Sequence, residues 1–544
     1  MSTISSVSEE TDTETFEVAA LLVCSIFLFT LLTMIFVRIV PFLHIFSESI
    51  VSLFIGILVG LVLLGLHYGG VEYILDSDNF ASIFQTLLLP LIIFNAGFTM
   101  KKRNFFKNIV PILSFAVGGC VLSSLLIGFG IYAYTFIDVD YIRVTNMNMS
   151  QSLQFGTLLG ATDPVATLAL FLELNVDPLL YSLVFGESVL NDAVSIVLFH
   201  TLDSSLDQFT FVDFLIIIGE FLLNVVGSLA IGLFVSYFSA FIFNKVKSMH
   251  ISGTFNLLMI LCVAFIGYFV SNLLGVSGIL TIFVSGAIMS HHHWYSIPED
   301  QRPVLYTSVG TLAFVSDTLT FISVGVTLFN PHNLKGEYWN PLFMPYVLFL
   351  CFFSRALNVF PISFLMNFRK KAAKITWRHQ LMLWYAGLRG AIAIILALQM
   401  GNPLIVNTTY MIVLFTNVVI GMTTPFLLKL MKIKMGGAEP LNVRNITATE
   451  SLELEESAPG KKKAFRKMFV MFDELVLKKY FGGQPRNEKD LVKIDPALGS
   501  SNELETDREK VDRKFRENQN VKETVDNIPE IRETVPLIPE EEKK

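Results

Sequence analysis

Two carboxylates and an amide sit where lipid-facing side chains belong: Glu187, Asn191 and Asp192 interrupt the otherwise apolar run Leu183 to His200, LVFGESVLNDAVSIVLFH. An ionised carboxylate at the centre of a bilayer costs roughly 2.5 kcal/mol or more, so two in one span require partners, a water-filled cavity or a function. Glu187 and Asn191 are four residues apart and share a helix face, with Asp192 about 100° further round and Ser188 beside it. One helix can thereby offer a structural carboxylate to one neighbour and an ion-binding carboxylate to another. Ion movement is the first chemistry this pattern suggests.

Other apolar stretches carry matching groups. Gly160-Ala161-Thr162-Asp163-Pro164-Val165 places a proline after an aspartate, which removes a backbone donor and disfavours helix at Asp163. A helix broken in mid-membrane exposes carbonyls and dipole ends suited to holding cations. Tyr385-Ala386-Gly387-Leu388-Arg389-Gly390-Ala391 brackets a cation with two glycines in a later stretch. If the two stretches are related broken helices that cross, Asp163 can neutralise the positive helix N-termini and Arg389 the negative C-termini. Arg355, in LCFFSRALNVF, is a second buried cation and the natural partner for Glu187, because either alone would be strongly destabilising. Taken singly, an aspartate before proline is as readily a helix cap or kink. The set of opposite charges in several spans argues for function.

The elements that must position these groups follow from composition. The chain is 53% hydrophobic and only 16% charged, which marks an all-α polytopic membrane protein. With about 20 apolar residues per span, thirteen candidates fall near residues 18–37, 48–66, 81–99, 108–135, 154–172, 180–201, 211–243, 254–274, 276–291, 305–328, 342–366, 380–400 and 404–431. The long seventh is expected to be tilted or broken. Basic residues cluster after span three (Lys101, Lys102, Arg103, Lys107), span seven (Lys245, Lys247) and span eleven (Arg369, Lys370, Lys371, Lys374, Arg378), which assigns those loops to the cytosol. The N-terminus (residues 1–17) is then luminal or external, on the same side as the sequon Asn148-Met149-Ser150. Residues 1–16 are acidic, so no cleavable signal peptide is expected. The four cysteines, at unrelated spacings within spans, suggest neither disulfides nor a zinc site. The formal net charge of −7 reflects the tail, and neither enzyme activity, a cofactor nor a nucleic-acid partner is implied.

The domain layout is therefore a luminal or external segment 1–17, a membrane domain 18–432 and a cytosolic tail 433–544. Much of the tail is polar, charged and poor in aromatics, the composition of disorder. Within it, KKKAFRKMFVMFDELVLKKYFGG (461–483) aligns Phe465, Met468, Phe469, Phe472, Val476 and Leu477 beneath basic residues. Such a helix can bind anionic lipid or a calcium-sensor protein; packing against the cytosolic ends of the spans is an equal alternative.

FGESVLNDAVSIVLF (185–199), ATDPVATLALF (161–171), SRALNVFP (354–361) and YAGLRGAIA (385–393) resemble, in this order, the sodium/proton exchangers of the cation/proton antiporter family. The resemblance spans roughly residues 20–435. An aromatic-Ala pair before GLRGA, KKRNFFKN after span three and MFDELVLKKYFGG in the tail look like the endosomal, organellar exchangers. The resemblance implies an inverted repeat with crossed broken helices and a homodimer. Spans 1–3 and 7–10 would form the dimerisation bundle, and spans 4–6 and 11–13 the moving core. It assigns Asp192 and Asn191 to the cation and proton site, with Thr162, Asp163 and Ser188 completing it. Glu187 and Arg355 become a structural ion pair, and Arg389 compensates charge at the broken helices. LLLPLII (87–93) departs from the family's LLPPII by keeping only Pro90, and Asn95 stands where several relatives have an acidic or other polar residue. In VSDTLTF (315–321), Asp317 replaces the usual glutamate. These departures make Asn95 and Asp317 candidates for cation passage and leave amiloride-type inhibition open.

The expected mechanism is competition at one carboxylate: burial disfavours bare Asp192, which then holds either a proton or a Na⁺ or K⁺ ion. With Asn at 191, one proton per cation is the natural stoichiometry. An organellar role in luminal pH and cation balance follows from the subgroup likeness, with a plasma-membrane exchanger regulating cytosolic pH as the alternative. A cation channel would favour repeated pore loops or rings of one charge, and an intramembrane hydrolase would need catalytic pairs that no motif here supplies. His291-His292-His293 is expected as an exposed interfacial tract in a loop, and the glycine-rich run 275–286 as close helix packing.

Overall fold

The computed structural model describes residues 21–433 except 22, 41–45, 70–81, 101, 137–146, 164–166, 169–170, 172–173, 175, 204–210, 247–251, 299–300, 330–338 and 369–373. The N-terminal segment 1–17, Pro164, the basic residues Lys101, Lys247, Arg369, Lys370 and Lys371, and the tail after Ile433 with its 461–483 segment lie outside the described residues.

Among the described residues the regular elements are helices. Besides a short helix, Lys102–Lys107, they are α1 (Val23–Ile39), α2 (Glu48–Tyr68), α3 (Phe84–Thr99), α4 (Ile109–Thr135), α5 (Met149–Leu158), α6 (Pro178–Asp203) and α7 (Phe211–Val246). They continue with α8 (Gly253–Leu273), α9 (Gly278–Ser296), α10 (Arg302–Thr327), α11 (Phe343–Asn367), α12 (Trp377–Tyr385), α13 (Ala391–Gln399) and α14 (Pro403–Leu430). Among the described residues, eight helices are long and apolar enough to cross a membrane: α2, α4, α6, α7, α8, α10, α11 and α14. The remaining expected spans correspond to the shorter or more polar α1, α3 and α9, to the short α5, and to the interrupted pair α12–α13.

Three sequence expectations change in detail. Span seven is one unbroken 36-residue helix, which at about 1.5 Å per residue runs on the order of 54 Å, far beyond a hydrocarbon core of about 30 Å. Helix α5 begins at Met149 and stops at Leu158, earlier at both ends than the apolar run suggested. Asn148 caps it, and its backbone N–H donates to Gln151 Oε1 at 3.2 Å. Helix α9 extends through all three histidines to Ser296, which corrects the loop assignment: His291 is exposed, but His292 and His293 are buried. His293 Nε2 lies 2.9 Å from Ser239 Oγ on α7 and its Nδ1 lies 3.1 Å from the Met289 carbonyl oxygen. The ring of Tyr237 packs tilted against His292, and that of Phe243 meets His293 edge to face. Aromatic partners on α7 make an interior position available to imidazoles that composition alone places in a loop.

Burial separates the helices sharply. In α6, 89% of the membrane-length window is buried, against 28% in α7 and α8. Helix α6 is thus the interior rod of the fold, and its Glu187, Ser188, Asn191, Asp192 and Ser195 are buried. Helices α2, α3, α7, α8, α9 and α10 pack chiefly on one another, as do α4, α5, α6, α11, α12, α13 and α14. Small residues set these crossings: a Cβ on Gly56 of α2 would come within 2.2 Å of the Ile322 carbonyl oxygen on α10, and one on Gly286 of α9 within 2.6 Å of the Phe94 carbonyl oxygen on α3. Backbones this close contribute dispersion contacts that replace the hydrophobic drive lost in lipid. Among the described residues, three helices each contain one π-helical turn: Phe84–Leu88 in α3, Ser114–Gly119 in α4 and Thr416–Ile420 in α14.

Candidate functional site

The site forms where two non-helical segments of the chain meet. After α5 ends, residues 161–163 are not helical, and neither are residues 386–390 between α12 and α13. The two segments touch: the Asp163 N–H donates to the Leu388 carbonyl at 2.9 Å. A Cβ on Gly390 would lie 2.3 Å from the Asp163 Cβ and 2.4 Å from its Oδ2, so only glycine allows this approach. Asp163 therefore abuts the N-cap of α13, the positive end of that helix dipole.

Arg389 closes the opposite end. Its Nη1 donates to the carbonyls of Gly160 and Ala161 at 3.2 and 3.0 Å. These are carbonyls just beyond α5, where partial negative charge accumulates. The Gly160 carbonyl also accepts Asn191 Nδ2 at 2.9 Å, and the same amide nitrogen donates to Thr162 Oγ1 at 3.3 Å. Thr162 Oγ1 lies 3.3 Å from Ser188 Oγ. Thus Thr162, Ser188, Asn191 and Arg389 converge just beyond the C-terminal end of α5.

Asp192 follows Asn191 on α6 and is 8% exposed, while Asp163 is half-buried. The two carboxylates interact electrostatically, and Asp163 also interacts with Asp317 on α10. Like-charged carboxylates repel when all are ionised, and a proton or a monovalent cation relieves that repulsion. Oxygen-rich surroundings from carboxylates, hydroxyls and carbonyls suit a hard cation such as Na⁺ or K⁺.

Glu187 lies apart from this cluster. Its fully buried carboxylate accepts both terminal nitrogens of Arg355, with Nη2 to Oε2 at 3.0 Å. Arg355 also donates from Nη2 and Nε to the Leu383 carbonyl, at 2.9 and 3.3 Å, near the end of α12. The pair joins α6 to α11 and α12. Asn95, half-buried on α3, has an Oδ1 buried without a hydrogen-bond partner in the described structure. No hydrogen bond joins it to Asp192 among the described residues.

Several contributors escaped the sequence reading. Ser195, one turn beyond Asn191, donates to Asn191 Oδ1 at 3.5 Å and lies 3.1 Å from Cys120 Sγ. Thr416 and Asn417 of α14 bond the Arg389 backbone. A lone Asn in the apolar run VLFTNVVI was the available signal for the latter. Ser and Cys in an apolar helix carry no comparable signal, because they bond their own backbone as readily.

Comparison with known proteins accords with this geometry. A sequence profile described as "Sodium/hydrogen exchanger, transmembrane" matches residues 22–430. Sodium/hydrogen exchanger 8 of Homo sapiens is 35% identical over 425 residues, covering 75% of this chain and 71% of that protein. Sodium/hydrogen exchanger 1 of Oryza sativa subsp. japonica is 32% identical over 479 residues, covering 80% and 88% respectively. Among solved structures, the sodium proton antiporter MjNhaP1 from Methanocaldococcus jannaschii matches with a TM-score of 0.51 at 17% identity, over 72% of this chain and 99% of that one. At that identity the likeness speaks to the fold.

Proposed function

The chain belongs to the sodium/hydrogen exchanger family, and from that membership we propose that it is an antiporter exchanging Na⁺ or K⁺ for H⁺ through competition at Asp192. The observation that carries this reading is the buried carboxylate of Asp192 beside a crossing of two broken helices. There Arg389 holds the carbonyl end of one, and Asp163 meets the N-terminal end of the other. Asp192 and Asp163 are like charges when both are ionised, so a proton or a cation taken up at the site relieves their repulsion. Asn191, with no ionisable group, leaves one exchangeable charge at the Asn-Asp pair, which favours one proton per cation and no net current.

In the working cycle α4–α6 and α11–α14 form the moving core and α1–α3 with α7–α10 the scaffold, which dimerises. Helix α6 carries the ion across as the core slides, and the Glu187–Arg355 pair moves with it as a brace. Thr162 and Ser188 complete the cation's oxygen shell, while Asp317 and Asn95 lie on its route. Thirteen spans place the tail in the cytosol. The organellar assignment, with control of luminal pH and cation content, rests on motif likeness to endosomal exchangers.

The test is cation-driven proton flux in proteoliposomes for the wild type and Asp192→Asn at equal folded protein. Dequenching of a trapped pH dye by Na⁺ or K⁺, abolished in the variant, is the expected result. Flux that persists in Asp192→Asn would move the site elsewhere. A current whose sign reverses with the ion gradients would overturn the one-for-one stoichiometry.

A further inference from the structure

The non-helical segment 386–390 is a liability in a membrane, because each unpaired backbone group there lacks water to bond. Within it, the Ala386 N–H reaches Met382 at 2.8 Å, the Leu388 N–H reaches Ala386 at 2.9 Å, and the Leu388 carbonyl accepts Asp163. Arg389 has no such local partner for either of its backbone groups. Both are met by α14. The Arg389 N–H donates to Thr416 Oγ1 at 3.2 Å, and the Arg389 carbonyl accepts Asn417 Nδ2 at 2.8 Å. Both side chains are buried, at 2% and 3% exposure.

They sit at the opening of the π-helical turn Thr416–Ile420. A π turn widens the helix and shifts its hydrogen-bond pattern, and such turns concentrate at functional positions. Here Thr416 Oγ1 and Asn417 Nδ2 both also donate to the Val413 carbonyl, at 3.2 and 2.9 Å. Each side chain therefore links the α14 backbone to the Arg389 backbone. The threonine hydroxyl relays, accepting from Arg389 and donating to Val413. The amide bridges two carbonyls with its two hydrogens.

We propose that Asn417, with Thr416, is a positioning residue for cation exchange, clamping the Arg389 main chain so that its guanidinium reaches the Gly160 and Ala161 carbonyls. The chain of contacts is continuous: Asn417 and Thr416 to the Arg389 backbone, the Arg389 side chain to Gly160 and Ala161, and the Gly160 carbonyl to Asn191 beside Asp192. Loosening the clamp lets a positive charge drift relative to the carboxylates, which alters the competition between proton and cation rather than the amount of folded protein. The inference rests on the antiport reading above.

The experiment compares wild type, Asn417→Leu, Thr416→Val, Thr416→Ser and the Asn417→Leu/Thr416→Val double variant in the same proteoliposome assay, measuring KM for Na⁺ and K⁺ and the pH profile of flux. Expected are a several-fold change in cation KM and a displaced pH profile for Asn417→Leu and Thr416→Val. Thr416→Ser keeps the hydroxyl and should behave as wild type, and the double variant should be less than additive because both act through the backbone of one residue, Arg389. Should Asn417→Leu fail to accumulate, the Thr416→Val and Thr416→Ser contrast carries the same decision. Unchanged KM and pH profile in folded Thr416→Val, with only maximal flux scaled to protein amount, would reduce the clamp to a structural contact. Absence of flux from wild type would instead overturn the antiport reading itself.

Discussion

Removing Arg355 isolates one interaction whose worth can be worked out from its surroundings. The Arg355→Met change leaves the Glu187 carboxylate, fully buried, without its bidentate partner and leaves the Leu383 carbonyl without two donors. Stranding one member of a buried ion pair costs about 3–5 kcal/mol. At about 2 °C per kcal/mol for a long chain, the apparent melting temperature should fall on the order of 6–10 °C. Replacing both members by apolar side chains of similar volume removes the stranded charge and is often near neutral, leaving the orphaned carbonyl at about 1–3 kcal/mol. The Glu187→Met/Arg355→Met double variant should therefore melt several degrees above the Arg355→Met single variant. The assay is heating of detergent-solubilised protein followed by size-exclusion detection of the surviving fold, with all variants at equal concentration. A double variant melting at or below the single would refute the argument, since it would mean that the carboxylate is not dependent on Arg355. A single variant within a degree of wild type would refute it equally.

Further outcomes follow from the same geometry. Gly390→Ala places a methyl 2.3 Å from the Asp163 Cβ, so flux should fall at least about tenfold for a clash of over 1.4 kcal/mol at the crossing, while Gly65→Ala, with open space around it, should transport normally; equal activities would discount the crossing. Truncation after Gly436 should leave cation flux in place and alter its pH dependence or membrane docking if segment 461–483 regulates the exchanger, and unchanged behaviour in both respects would remove the tail from the scheme.

Much of this arrangement was legible in residue types. Glu187 and Arg355 had to find opposite charges, because neither can remain bare in an apolar span, and the structure joins them directly. Asp163-Pro164 and Gly387-Leu388-Arg389-Gly390 announced interruptions, because proline and paired glycines weaken helices locally. The end of α5 at Leu158 was less legible, since the apolar run continues past it to Phe171 and hydropathy does not register where hydrogen bonding stops. The histidines were misplaced for the converse reason: three polar rings read as a loop, whereas Ser239, Tyr237 and Phe243 on α7 provide an interior niche for two of them.

By itself the sequence determined which groups could not face lipid and which stretches could not stay helical, because both are costs carried by single residues and their immediate neighbours. Only the tertiary structure decided that the Asp163 N–H meets the Leu388 carbonyl, that Arg389 caps the carbonyls after α5, and that Thr416 and Asn417 hold the Arg389 backbone. Those partners are separated by more than twenty residues or lie on different helices, and backbone hydrogen-bonding groups are the same at every position. Their pairing is set by where the helices cross, which small residues and the π turn in α14 adjust by fractions of a turn.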